Sequence, residues 1–85
     1  MYNIIKKYAD RININDIDVF AKKNNIVLNS KELNIIYENL HNNLDLILND
    51  SDQVFNKIKK DIREDNYNKI YELFNKYKKR YKNYL

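Results

Sequence analysis

The sequence predicts an all-α fold, a compact bundle of four to five short helices with a longer basic C-terminal helix. Three observations support this prediction. The 85 residues include no Gly and no Pro, the two residues least compatible with a helix interior. Apolar residues recur every three or four positions, which is the spacing of one helix face. In segments 14–18, 28–32 and 48–52, an aliphatic residue precedes an Asn that is followed three positions later by an acid, a pattern typical of helix starts.

The three start patterns are centred on Asn15, Asn29 and Asn49. In each, the Asn side chain can accept a hydrogen bond from a first-turn N–H, and the acid can accept one from the cap residue. The aliphatic residue before the Asn can pack one turn into the helix, against Val19 in the first copy and Leu33 in the second. These patterns predict helices that begin near residues 15, 30 and 51.

Five helices are predicted in one domain, 1–85, and they cover about 2–9, 15–23, 30–41, 51–63 and 66–83. The pair Asn24-Asn25 should end the second helix, because Asn adopts the left-handed conformation more readily than other non-Gly residues. Segments 26–28 and 44–48 are apolar connections, the latter partly helical. The residues expected on helix faces that pack inward are Ile4, Ile5, Tyr8, Ile17, Val19, Phe20, Ala21, Leu33, Ile36, Tyr37, Leu40, Val54, Phe55, Ile58 and Ile62.

Positive charge is concentrated at the C-terminal end. The formal net charge is +4 and the pI about 9.2, but the segment 76–82 alone carries Lys76, Lys78, Lys79, Arg80 and Lys82 with no acid. The rest of the chain has 11 basic and 12 acidic residues. Asn, Ile, Lys and Tyr dominate the composition and share A/T-rich codons, so an AT-rich genome would produce the same bias.

The last predicted helix has one aromatic face, with apolar residues at alternating steps of three and four: Tyr67, Ile70, Phe74, Tyr77, Tyr81 and Tyr84. The lysines fall on the opposite side of this helix. We therefore expect the tyrosines to pack on the bundle or on a second copy, with Tyr77, Tyr81 and Tyr84 as the candidate interaction surface. Nucleic-acid binding by the basic residues of 76–82 is the alternative, although single strands are bound best where rings and cations share a surface. Membrane-surface binding is disfavoured, because Tyr replaces the usual Leu, Phe or Trp.

No catalytic, cofactor or metal signature is present. The chain has no Cys, which excludes disulfides and thiolate chemistry. His41, the one histidine, lies near Glu38 and Asp45 without a second imidazole, and we interpret it as a surface or capping residue. A calcium-like segment, 61–72, has Arg63 at a ligand position and Asn66 in place of the required Gly. These features predict that the protein is not an enzyme.

A DNA-binding helix-turn-helix is also disfavoured. The third helix would present Lys31 and Asn34 at its N-terminal end, but it also carries Glu32 and Glu38, which would repel phosphates. No segment approaches the about 18 apolar residues of a membrane span, and the N-terminus lacks a signal-peptide core. We expect a cytoplasmic protein without a small-molecule substrate.

Four segments carry a resemblance to a known family: 14–18, 20–28, 47–50 and 72–74. Read in order, they resemble the YqfT-like family of small bacterial proteins of unknown function, which is similar in length, in its second helix, in the connector and in a closing Leu-Phe helix. Two departures are Asn42-Asn43 in place of a Gly-containing turn and a longer basic C-terminus. The resemblance implies a cytoplasmic helical protein without an assigned activity. Together these observations predict a protein-interaction or structural module.

Overall fold

The computed structural model describes residues 2–81, and side chains within 3–80. Over this range the chain forms six α-helices and a 3₁₀ turn, which confirms the all-α prediction with one or two more helices than expected. In chain order they are α1 (Tyr2–Arg11), α2 (Ile14–Lys23), α3 (Ser30–Asn42), α4 (Leu44–Asn49), α5 (Ser51–Ile58), the 3₁₀ turn (Lys59–Asp61) and α6 (Glu64–Tyr81). The radius of gyration is 12.3 Å.

The cap residue of α2 is Asn13, and the prediction of Asn15 as its cap is wrong. The Asn13 Oδ1 accepts from the Asp16 N–H at 2.8 Å, and the Asp16 carboxylate accepts from the Asn13 N–H at 3.0 Å. Asn15 lies inside the first turn. With Asn13 as the cap, Ile17 is the fourth residue of the helix. Its buried side chain is then placed to pack on Ile12, the residue before the cap.

The second start pattern is confirmed. The third correctly predicts a helix that begins at residue 51, but its prediction of Asn49 as the cap is wrong. Asn29 and Glu32 exchange the two hydrogen bonds of a capping box, at 2.8 and 2.9 Å. Asn49 is instead the last residue of α4, so its backbone is already helical and cannot cap the next helix. Helix α5 begins at Ser51, after Asp50, without a side-chain cap.

The pair Asn24-Asn25 ends α2 as predicted. Asn25 has φ 62°, the left-handed conformation, and residues 26–29, the connector between α2 and α3, belong to no helix. Ile26 and Leu28 are buried, whereas Val27 between them is exposed. The alternation expected of extended backbone therefore places two aliphatic side chains in the core.

Two clusters of buried side chains form the core. One joins α5 to α6 through Val54, Phe55, Ile58, Ile62 and Tyr67, and the other joins α2, the connector and α3 through Ile17, Ala21, Ile26 and Leu28. The predicted α3 residues Leu33, Ile36, Tyr37 and Leu40 pack against the second cluster. Ile36 of α3 and Ile70 of α6 each pack against both clusters, so these two helices connect them.

Four residues predicted on inward-packing faces are exposed: Ile4, Tyr8, Val19 and Phe20. On α2, the face that packs inward is centred on Ile17 and Ala21. Val19 therefore lies on the other side of this helix and is exposed. Ile4 and Tyr8 are exposed because a different side of α1 contacts α3. That side carries Ala9, which is buried, and Ile5, which is half-buried.

A buried carboxylate fixes the connector to the start of α6. The Glu32 side chain is 1% exposed, and its two oxygens accept five hydrogen bonds. The donors are the Asn29 N–H, the Asn66 amide, and the backbone N–H, Nε and Nη2 of Arg63. Arg63 Nη2 and the Asn66 amide each also donate to the Val27 carbonyl at 2.8 Å. One carboxylate thus joins the cap of α3, the connector and the start of α6.

Candidate functional site

A groove of about 490 Å³ opens between α2, α3 and α6. Ile26 and Leu28 of the connector lie at its base. One wall is α6, which contributes a residue every three or four positions from Ile70 to Tyr77. Those two residues are seven apart, about 10 Å along a helix. We call this cavity the apolar groove.

The lining of the apolar groove is almost entirely hydrocarbon. Asp16 is its one charged residue among the described part of the chain, and that carboxylate already accepts the Asn13 N–H. The edge is aromatic: Phe20 is 47% exposed, and its ring centroid lies 6.0 Å from that of Tyr77. The lining therefore favours apolar groups and offers almost nothing to a polar ligand.

The Glu32 carboxylate holds the base of the groove in place. Burial opposes its ionisation, but the hydrogen bonds from Arg63, Asn29 and Asn66 outweigh burial and lower the pKa of Glu32 to about 2. The same hydrogen bond and charge raise the pKa of Arg63. Because Arg63 and Asn66 also bind the Val27 carbonyl, the flanking residues Ile26 and Leu28 are fixed at the groove's base.

A polar cleft adjoins the groove on the α6 side and shares Ile26 and Leu73 with it. Its charged residues are Lys69, Glu72 and Lys76. Lys69 Nζ donates to the Asn25 carbonyl at 3.4 Å. The lining of the groove therefore carries one carboxylate, that of Asp16. The neighbouring cleft carries two cations and one carboxylate, an excess of one positive charge.

Of the predicted interaction surface, Tyr77 lines the apolar groove and is half-buried. Tyr81 is the last residue of α6, and its side chain lies outside the described part of the structure. Tyr84 lies outside the described residues altogether. The Tyr77 ring packs on the bundle against Phe20 of α2, and the interaction surface that includes Tyr77 stays a prediction.

The predicted polyanion contacts do not share one surface of α6. Lys76 lines the cleft beside Asn24 of α2, whereas Lys78 Nζ donates to the Ser51 hydroxyl of α5 at 3.3 Å. Lys79 and Arg80 are exposed, and Lys82 lies outside the described residues. The cations therefore point to different sides of the helix.

His41 packs into the bundle, which corrects its interpretation as a surface residue. Its Nε2 lies 2.9 Å from the Ile12 carbonyl, and its ring centroid lies 4.3 Å from that of Tyr37. It thus joins α3 to the turn after α1. Within residues 2–81 no three His, Cys, Asp or Glu side chains come together as a metal would require.

Comparisons with protein-family models, with curated proteins and with solved structures found no match to this chain. The resemblance to the YqfT-like family therefore stays a prediction. In the part of the chain that is described, every helix is too short or too polar to cross a bilayer.

Proposed function

We propose that this protein is a non-enzymatic protein-interaction module that binds an apolar helical segment in the apolar groove. The observation that carries the proposal is the groove itself, about 490 Å³ of nearly uncharged lining. A cavity of this size lies within the range of specific binding sites, and an apolar lining binds by excluding water. The proposal retains the cytoplasmic location expected from the sequence.

The dimensions of the groove support a helix as its occupant. An amphipathic helix presents apolar side chains at i, i+3 or i+4, and i+7, which span about 10 Å. The α6 wall from Ile70 to Tyr77 has the same length and the same spacing. Two helices related in this way can interdigitate their side chains along the groove.

We expect a Leu-rich amphipathic peptide of two to four turns to shift the amide NMR signals of residues around the groove, whereas a scrambled peptide of the same composition should not. The Phe20→Lys change places a charge at the groove edge and should weaken binding at least tenfold, or about 1.4 kcal/mol. Val19→Lys is the matched control, because Val19 is 43% exposed on the same helix but does not line the groove. Shifts that are equal for both peptides, or unaffected by Phe20→Lys, would contradict the proposal.

Nucleic-acid binding by the basic end of α6 is the second candidate. The exposure of its described cations supports it, and their distribution around the helix weakens it. If all five predicted cations contact phosphates, log affinity should fall against log salt with a slope of about −3.5 to −4.5.

Fluorescence anisotropy with labelled single- and double-stranded DNA and RNA measures this slope. Substituting Gln for the five cations of 76–82 should abolish binding, whereas Lys6→Gln with Lys7→Gln on α1 should leave it unchanged. No binding at low salt, or equal loss in both variants, would exclude this candidate.

A further inference from the structure

A second apolar surface lies on the outer side of α1. Ile4 and Tyr8 are 56% and 67% exposed and lie one helical turn apart, so their side chains are neighbours. The opposite side of α1 already packs on the bundle through Ala9. While that packing holds, the outer surface cannot enter the groove of its own chain.

The outer surface of α1 matches the apolar groove in size. The positions of Ile4 and Tyr8 are separated by about 6 Å along the helix, within the about 10 Å of the α6 wall. An isoleucine and a tyrosine are also suited to the groove's lining, which is aliphatic at the base and aromatic at the edge. Burial of large apolar side chains of this kind is what drives protein association.

The charges of α1 are opposite to the charge in the groove's lining, although the adjoining cleft carries an excess of one cation. Lys7 and Arg11 lie on the same side of α1 as Ile4 and Tyr8, because these four positions are three or four residues apart. We call this side the α1 stripe. Among the residues that the structure describes, Asp16 is the one charged residue that lines the groove. The acid of α1, Asp10, already pairs with Lys6 at 3.7 Å. The α1 stripe therefore brings cations to a groove with an anion in its lining.

We infer that the groove is occupied by the Ile4–Tyr8 surface of α1 from a second copy of this chain. The inference rests on the proposed function, since it names the helix that the groove binds. Each contact joins two different surfaces, the α1 surface of one copy and the groove of the other, and two such contacts related by a twofold axis form an isologous dimer. Ile12, just after α1, lines the groove, so α1 and the groove lie close together in each chain. Two chains can then exchange their α1 surfaces and close a dimer.

Sedimentation equilibrium of the full chain tests this inference. The mass should rise from 10.4 kDa towards twice that value between about 10 µM and 1 mM, the range in which a small transient interface populates a dimer. Tyr8→Lys and Phe20→Lys should each remain monomeric at the highest concentration. Both residues are exposed, so circular dichroism should show unchanged helicity. The Val19→Lys control should associate like the unchanged protein.

Mixing the two monomeric variants gives the decisive result. Tyr8→Lys keeps an intact groove and Phe20→Lys keeps an intact α1 surface, so an equimolar mixture should regain a dimer of one chain of each. If Tyr8→Lys alone still dimerises while Phe20→Lys does not, two grooves face each other and the inference is wrong although the groove still binds protein. A protein that is monomeric at every concentration also refutes it, and the peptide titration then decides the proposed function separately.

Discussion

Replacing Glu32 with Gln is expected to lower the free energy of unfolding by about 1–3 kcal/mol, the usual cost of leaving buried hydrogen-bonding groups without a partner. The carboxylate accepts five hydrogen bonds in the folded protein. A Gln amide can supply only one accepting oxygen, and its NH₂ group would face the Arg63 donors. An 85-residue domain has a total stability of about 4–13 kcal/mol, so the variant should lose a measurable part of it.

Urea denaturation followed by circular dichroism measures this loss. The matched control is Lys31→Gln, which removes the neighbouring exposed pair between Lys31 and Asp61 at 3.7 Å. That change should alter the free energy of unfolding by less than about 1 kcal/mol. Equal stability of Glu32→Gln and the unchanged protein would show that the carboxylate does not hold the connector.

The parts of the fold that the sequence predicts are those set by local interactions. The box of Asn29 and Glu32 and the left-handed Asn25 depend on residues within a few positions, and both are confirmed. The surface pair of Asp18 and Lys22, at 2.9 Å and one turn apart, is another interaction of this local kind. Their partners are close in the chain, so the pattern contains the whole interaction.

The start of α2 shows where local information is insufficient. Asn13 and Asn15 are each preceded by Ile and followed three residues later by Asp, so two overlapping patterns predict two starts. Packing against the rest of the bundle decides between them. A start at Asn13 is consistent with burial of Ile17, whereas Val19 remains exposed.

The Glu32 network and the groove were not predicted, for a related reason. Arg63 and Asn66 lie more than 30 residues from Glu32, and helical spacing carries no information about such contacts. The sequence predicts Glu32 to be a capping residue and a charge that would repel DNA. Neither role uses the second carboxylate oxygen, which accepts hydrogen bonds from Arg63. A groove likewise depends on the volume between helices. The spacing identified Phe20 and Tyr77 as packing residues but could not show that they border an open cavity.

Acidification should destabilise the protein through the same carboxylate. Glu32 binds a proton near its ordinary pKa of 4.5 in the unfolded chain, but only at about 2 in the folded protein. Between these values the unfolded state holds more protons, so the free energy of unfolding falls as the pH falls. The full difference corresponds to about 3 kcal/mol, present above about pH 4.5 and lost as the pH approaches 2.

Urea unfolding at pH 7, 5, 4 and 3 follows this loss, and two variants identify its source. Asp61→Asn removes an exposed acid close to the network and should keep the full dependence on pH. Arg63→Lys keeps the positive charge but loses the Nε and Nη2 hydrogen bonds to Glu32, so its stability should be lower at pH 7 and should vary less with pH. General charge repulsion at low pH acts on both variants alike. Equal dependence on pH in the two variants would therefore place the acid sensitivity outside Glu32.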